Sequence, residues 1–135
     1  SYKLIPRELS VEYSAFESGL DRFVSLKKPT FHGREALLAW QERGGANTLV
    51  TMEVHNLTDA DARGSEPIYH GDDVVGRVTS GGYGWRVGKS LALAMVRPDL
   101  AHAGAEFEIA ILGVRHKATI IADSPFDPDN HALKS

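Results

Sequence analysis

Between Val74 and Val96 two apolar runs flank a stretch that holds Gly81, Gly82, Gly84 and Gly88 together with Tyr83, Trp85, Arg86 and Lys89. After it, Leu91, Leu93 and Met95 alternate with Ala92, Ala94 and Val96. That two-residue period is the mark of a strand, in which successive side chains point to opposite faces. The segment therefore predicts two strands joined by a glycine-rich loop. From Val74 to Pro98 there is no Asp or Glu, while Arg77, Arg86, Lys89 and Arg97 are basic, in a chain of formal net charge −3. A basic loop in an acidic domain fits an anion site, or a strand unit paired with acidic neighbours.

Gly88-Lys89-Ser90 has the ending of a phosphate-binding loop, but the first glycine of that motif falls on Tyr83, with Gly82 and Gly84 each one residue out. A phosphate loop must also open a helix whose amides cradle the phosphates. Here a strand pattern follows, so the nucleotide reading is set aside.

At 135 residues the length fits one domain, large enough to bury a core without staples. Hydrophobic content of 42% and charged content of 24% are those of an ordered globular chain. No apolar run approaches the roughly 20 residues of a membrane helix. Cysteine is absent, which removes disulfides and thiol nucleophiles and suits a reducing compartment. The acidic balance argues against a nucleic-acid partner, which calls for a basic face. Ser1-Tyr2-Lys3 reads as the middle of a longer chain.

Residues 1–28 lack sustained periodicity, with a short strand expected at the end of Glu17–Val24. Lys27-Lys28-Pro29 breaks the chain. A helix is predicted at about 33–43, with Thr30 near its start, Phe31, Leu37, Leu38 and Trp40 as its apolar stripe, and Gly44-Gly45 as its stop. Then the signal turns to β. Thr48–Val54 alternates, 59–66 is a polar loop, and Pro67–Tyr69 with Val74–Thr79 straddles a hairpin turn. Asp99–Gly104 can form one helical turn, and Ala105–Leu112 with His116–Ile121 makes a hairpin around Gly113-Val114. Ser124–Asn130, with two prolines, is expected to be extended. One helix and five or six short strands predict a mainly β fold, a small antiparallel barrel that hides its edges by closure.

The six histidines show no metal-ligand spacing. Asp59, Asp61, Asp72 and Asp73 lack the twelve-residue pattern and closing Glu of a calcium loop, and read as solvated turns. No serine sits in a nucleophile elbow, and no dinucleotide fingerprint is present. The residues alone thus show no complete active site and no metal site.

Four separated motifs carry a resemblance: Phe31-His32-Gly33-Arg34-Glu35-Ala36-Leu37, Val75-Gly76-Arg77-Val78-Thr79-Ser80-Gly81, Gly88-Lys89-Ser90-Leu91-Ala92-Leu93-Ala94 and Ser124-Pro125-Phe126-Asp127-Pro128. In this order and spacing they resemble the C-terminal part of the glycine-cleavage T-protein (aminomethyltransferase) family. Gly81-Gly82-Tyr83-Gly84-Trp85-Arg86 is more similar to the branch fused to flavin-dependent dimethylglycine and sarcosine dehydrogenases.

The resemblance implies that 29–135 is the C-terminal barrel domain and that 1–28 continues from an N-terminal folate-binding domain, the barrel's partner. Tetrahydrofolate is the implied cofactor, and FAD belongs only to an upstream part. The catalytic aspartate lies upstream too, so this chain holds no catalytic residue and is expected to fold without turning over substrate. By the same resemblance, Glu17 in Ser14-Ala15-Phe16-Glu17, with Ala15 in place of the family's proline, faces the pterin ring. Arg43 falls near an arginine that meets the folate's glutamate, and His131 near a C-terminal tyrosine of the folate site. Tyr83 and Arg86 are folate-binding candidates on chemistry: a ring to stack on a flat ligand and a guanidinium to pair with a carboxylate. Both also suit a domain interface. The whole enzyme would oxidise an N-methylated glycine and pass the one-carbon unit to tetrahydrofolate, in the cytoplasm or, in a eukaryote, the mitochondrial matrix. The alternatives are a barrel that only braces folate domains and part of a folate-dependent demethylase.

Overall fold

Apolar alternation sorts the strands. In β1 (Thr48–Val54) Val50, Met52 and Val54 point into the core, and in β4 (Lys89–Val96) Ala92, Ala94 and Val96 meet them. The computed structural model, which describes residues 2–134, adds β2 (Pro67–His70), β3 (Asp73–Gly84), β5 (Glu106–Ile111) and β6 (Val114–Ile121). The six close into a barrel in the order β1-β4-β3-β2-β5-β6, every neighbouring pair antiparallel. Closure removes the exposed edges that would otherwise invite pairing with other chains. Small inward residues (Ala92, Ala94, Ala118) leave room for Met52, Ile68, Val78, Phe107, Ile109 and Ile120, the taper by which a small barrel fills its own interior.

The mainly β barrel with one N-terminal helix is therefore what the sequence folds into, with α1 at Arg34–Arg43. Several local expectations shift. The strand expected within Glu17–Val24 is instead a 3-10 turn over Asp21–Phe23. The cap of α1 is Gly33, at φ 86° and without a side-chain bond, in place of a Thr30 cap, while Gly44 ends the helix at φ 75°. Its apolar stripe is half-buried, with no residue fully buried. The glycine-rich loop is shorter than it reads: Gly81, Gly82 and Gly84 lie within β3, and the turn is only Trp85–Gly88. The β5–β6 connection is Leu112-Gly113, both at positive φ (49° and 83°), the backbone a tight two-residue hairpin demands. The helical turn expected in 99–104 forms at Pro98–Leu100. The tail is not extended throughout. It turns at Ser124 and Asp127, both at positive φ, and ends in one helical turn, α2 (His131–Lys134).

β3 and β4 approach so closely at Gly76 that a Cβ there would stand 2.3 Å from the backbone oxygen of Met95. Only backbone movement relieves such a contact. Gly76→Ala is expected to cost about 1–3 kcal/mol of stability, read from the denaturation midpoint; an unchanged midpoint would show that the strands part freely.

The segment before α1 packs on the outer face of β1, β4 and β3. Residues 14–20 form a single turn closed at both ends. The Ser14 amide donates to Glu17 Oε2 (2.9 Å) and the Glu17 amide donates to Ser14 Oγ (3.1 Å), a reciprocal capping box. At the other end Leu20 N donates to Ala15 O and Gly19 N to Phe16 O, with Gly19 at φ 62°, the Schellman arrangement. The turn docks on the barrel through Leu49 N donating to Glu17 O and Asn47 N donating to Glu17 Oε1, and Phe16 packs on Trp40 of α1. Earlier in the segment, Tyr13 Oη and Glu12 hold the Arg77 guanidinium of β3. Between these anchors Met95, paired with Leu49 and Arg77 on the outward side of β4, is fully buried.

Candidate functional site

Two rows of outward residues run across three strands in register: Thr51–Leu93–Ser80 and Glu53–Leu91–Gly82. A Cβ built at Gly82 would meet nothing within 4 Å, so the backbone there is bare and the space above it open. With Leu91 and Leu93 it makes a flat apolar shelf. The leading segment walls one side with Leu4 and Leu20, and the tail walls the other with Asp123–Pro128. Together they enclose a cleft of about 1150 Å³, slightly above the usual upper range for small-molecule sites.

The rim is aromatic and cationic. Trp85 is 87% exposed, and the Arg86 guanidinium lies 5.4 Å from the centre of the Phe126 ring, tying the β3–β4 turn to the tail. Lys3 and Arg22 also line the opening. On the floor are two hydroxyls. Thr51 Oγ1 donates to Asp123 Oδ1 (3.0 Å) and Ser80 Oγ donates to Glu8 Oε1 (2.7 Å). An apolar shelf with aromatic and cationic borders suits a flat molecule bearing a carboxylate, which a guanidinium meets with paired N–H donors.

Two buried carboxylates hold the leading segment under this cleft. Glu8 is fully buried; its Oε2 accepts from Leu4 N at 2.7 Å, and Thr79 Oγ1 is placed to donate either to it or to Leu93 O. Burial pushes Glu8's pKa up, but the Thr79 and Ser80 hydroxyls and the amides of Leu4 and Glu8 outweigh that and hold it below the usual carboxylate value. Glu17, 7% exposed, follows the same logic. Burial raises its pKa, and the donors of Ser14 and Asn47 bring it lower.

The structure distributes the five folate-binding candidates unevenly. Arg86 lines the cleft. Tyr83 faces an adjoining groove and meets Trp85, which borders both, edge-on at 4.9 Å between ring centres. Glu17 belongs to the bracing turn beneath, whose Gly19 and Leu20 reach the cleft wall. His131 opens α2, its amide donating to Asp127 Oδ1, with an exposed ring 3.6 Å from Asp129. Arg43 is exposed in the last turn of α1. Sequence reasoning passed over Thr51, Ser80, Leu91, Leu93 and Glu8. The signal available for three of them was the two-residue period itself, which puts Ser80 on one face of β3 with Gly82 and Gly84, and Leu91 with Leu93 on the facing side of β4.

In the adjoining groove, Lys89 Nζ pairs with Glu53 (2.6 Å) and Ser90 Oγ donates to Asp61 (2.5 Å), so Lys89-Ser90 opens a strand and bonds to carboxylates. Among the described residues no group of three or more His, Asp or Glu is arranged to hold a metal ion, and no helix is long and apolar enough to cross a membrane.

Residues 47–127 match the family described as the glycine cleavage T-protein C-terminal barrel domain. The chain is 35% identical over 117 residues to the dimethylglycine dehydrogenase, mitochondrial, of Rattus norvegicus, and 38% identical over 117 residues to that of Mus musculus. Each alignment takes in 86% of this chain, against 14% and 13% of those proteins. It is 36% identical over 123 residues to the aminomethyltransferase of Thermosynechococcus vestitus, covering 91% of this chain and 33% of that one. The chain thus spans about a third or less of the curated relatives it matches. In structure it superposes on the glycine cleavage system aminomethyltransferase T from Bartonella henselae with a TM-score of 0.73 over 82% of its length and 31% of the other chain, at 20% identity, a likeness of fold.

Proposed function

The chain belongs to the glycine cleavage T-protein family, as its C-terminal barrel domain, and from that premise we propose that it forms one wall of a tetrahydrofolate site in an aminomethyltransferase-like enzyme. The upstream part, here given to folate-binding domains, supplies the catalytic group and meets residues 1–28. In an enzyme of the dimethylglycine or sarcosine dehydrogenase type, that part also carries FAD, and the one-carbon unit released from the methylated amine passes to folate. Cytoplasm or mitochondrial matrix is the proposed setting.

The observation that carries this reading is the cleft. A bare-backbone shelf beside Leu91 and Leu93, bordered by Trp85, Phe126 and Arg86, matches the flat arene and terminal carboxylates of a folate. Arg86 is the proposed carboxylate partner and Tyr83 its aromatic neighbour. Glu17, Arg43 and His131 are proposed contacts for parts of the ligand that extend past the shelf.

A second reading, a barrel that only braces folate domains, is favoured by Glu17. Both its carboxylate oxygens already accept hydrogen bonds from Ser14 and Asn47. Titration with tetrahydrofolate under a reducing atmosphere, followed by Trp85 fluorescence, separates the two. Arg86→Ala is expected to weaken binding roughly tenfold to hundredfold, the worth of one charged hydrogen-bonding group. Unchanged affinity in Arg86→Ala would leave the bracing reading.

A further inference from the structure

We propose that Ser80 and Thr51 make the cleft floor accept hydrogen bonds and donate none, so that the site selects a flat ligand carrying an N–H at each end of an apolar body. The inference deepens the reading of the cleft as a ligand site and rests on it.

A hydroxyl has one proton and two lone pairs, so its partner decides what it offers a ligand. Ser80 Oγ donates to Glu8 Oε1 at 2.7 Å, and Thr51 Oγ1 donates to Asp123 Oδ1 at 3.0 Å. An ionised carboxylate only accepts, so both protons are committed and only lone pairs are left for the cleft. For Glu8 the ionised state holds at neutral pH, since its pKa lies below the ordinary value: burial opposes ionisation, but the hydroxyl and amide donors around it prevail. The two hydroxyls sit on opposite sides of Leu93, in register on β1 and β3. Two strand separations put them about 10 Å apart. An apolar ring over Leu93 with an N–H toward each strand satisfies both acceptors; a ligand with carbonyl or ether oxygens there would face lone pairs with lone pairs. Discrimination of this kind exceeds what an apolar pocket achieves, because a mismatched partner leaves a desolvated polar group unpaired.

Glu8 is a positioning residue, because it acts on the ligand only through Ser80. Replaced by Gln, it can present its amide N–H to Ser80 Oγ, which frees the Ser80 proton to point at the ligand.

The test uses the 135-residue chain and three probes: 4-aminobenzoyl-L-glutamate, its N-methylated amide and its 4-dimethylamino analogue, with dissociation constants measured by calorimetry. In the wild type each methylation is expected to weaken binding roughly tenfold, from one lost hydrogen bond to a buried acceptor. One of these penalties should vanish in Ser80→Ala and the other in Thr51→Val. Glu8→Gln should abolish the Ser80-linked penalty although the hydroxyl is still present, which a purely structural role would not do. If Glu8→Gln fails to fold, as judged by circular dichroism, Thr51→Val decides the matter from the opposite end of the shelf. Equal penalties in wild type and variants would overturn the inference and leave the cleft reading standing. Binding of none of the probes by the wild type would overturn both.

Discussion

Met52→Ala is expected to cost the barrel about 2–5 kcal/mol, the range for removing a large aliphatic side chain from a core that cannot collapse around the space. Met52 is completely buried on β1, which pairs with β4 on one side and β6 on the other. In register its neighbours are Ala92 and Ile120, and the inward residue on β4 is already an alanine, so on that side no large side chain lies beside Met52 to fill the vacancy. The backbone cannot move in either, because a closed barrel fixes each strand by hydrogen bonds on both sides. A graded comparison makes the cause visible. Ile109→Val, at an equally buried position on β5, should cost about 0.5–1.5 kcal/mol, and Thr58→Ala, exposed in a loop, should stay within about 0.5 kcal/mol. Equilibrium denaturation of the three variants checks the order; a Met52→Ala loss no greater than that of Thr58→Ala would mean the core repacks freely.

The barrel was legible because its signals are local. Alternation in Thr48–Val54 and Leu91–Val96, and glycine where turns need positive φ, specify strands within a few residues of themselves. The resemblance then supplied the family, and the close approach at Gly76 shows the physical need behind one residue of those motifs. The cleft was not legible in the same way. It is assembled from 2–22, Thr51, 80–93 and 123–132, and the two hydrogen bonds that define its floor, Thr51 to Asp123 and Ser80 to Glu8, each span 72 positions. No window along the chain contains both partners. Glu8 is the clearest case: a carboxylate in an unpatterned, charged segment reads as solvated, and only the tertiary fold reveals that it is buried. Around Glu17 a local signal was present. Ser14-Ala15-Phe16-Glu17 is a capping-box signature in its own right, and the strand expected after it gave way to a turn closed by Gly19 at φ 62°.

Acid should undock the leading segment before it unfolds the barrel, and Glu8→Ala should do the same at neutral pH. Glu8 binds Leu4 N and Ser80 Oγ in a fully buried place, so its truncation leaves both donors desolvated and unpaired, at about 1–3 kcal/mol each. Glu17 anchors the next turn through Ser14 and Asn47. Both carboxylates have folded-state pKa values below the ordinary glutamate value, so in each case the unfolded chain binds its proton at higher pH than the folded one. Their contribution is therefore complete above the unfolded value of about 4.3 and is lost as pH falls through the lower folded values. The midpoint of thermal unfolding should be flat from neutral pH down to about 5 and fall below about 4. Glu8→Gln, which has no proton to gain, should start lower and fall less steeply over that interval. Because the segment forms one wall of the cleft and the Glu8–Ser80 bond part of its floor, ligand affinity should fall in step with stability over that acid range, with amide exchange rising first at Leu4 and Ser14 while β1 and β4 stay protected. A midpoint that fell equally in wild type and Glu8→Gln would assign the acid transition to other carboxylates. Exchange that rose together in the segment and in the barrel strands would show that the two unfold as one unit, with no separate docking step to control the cleft.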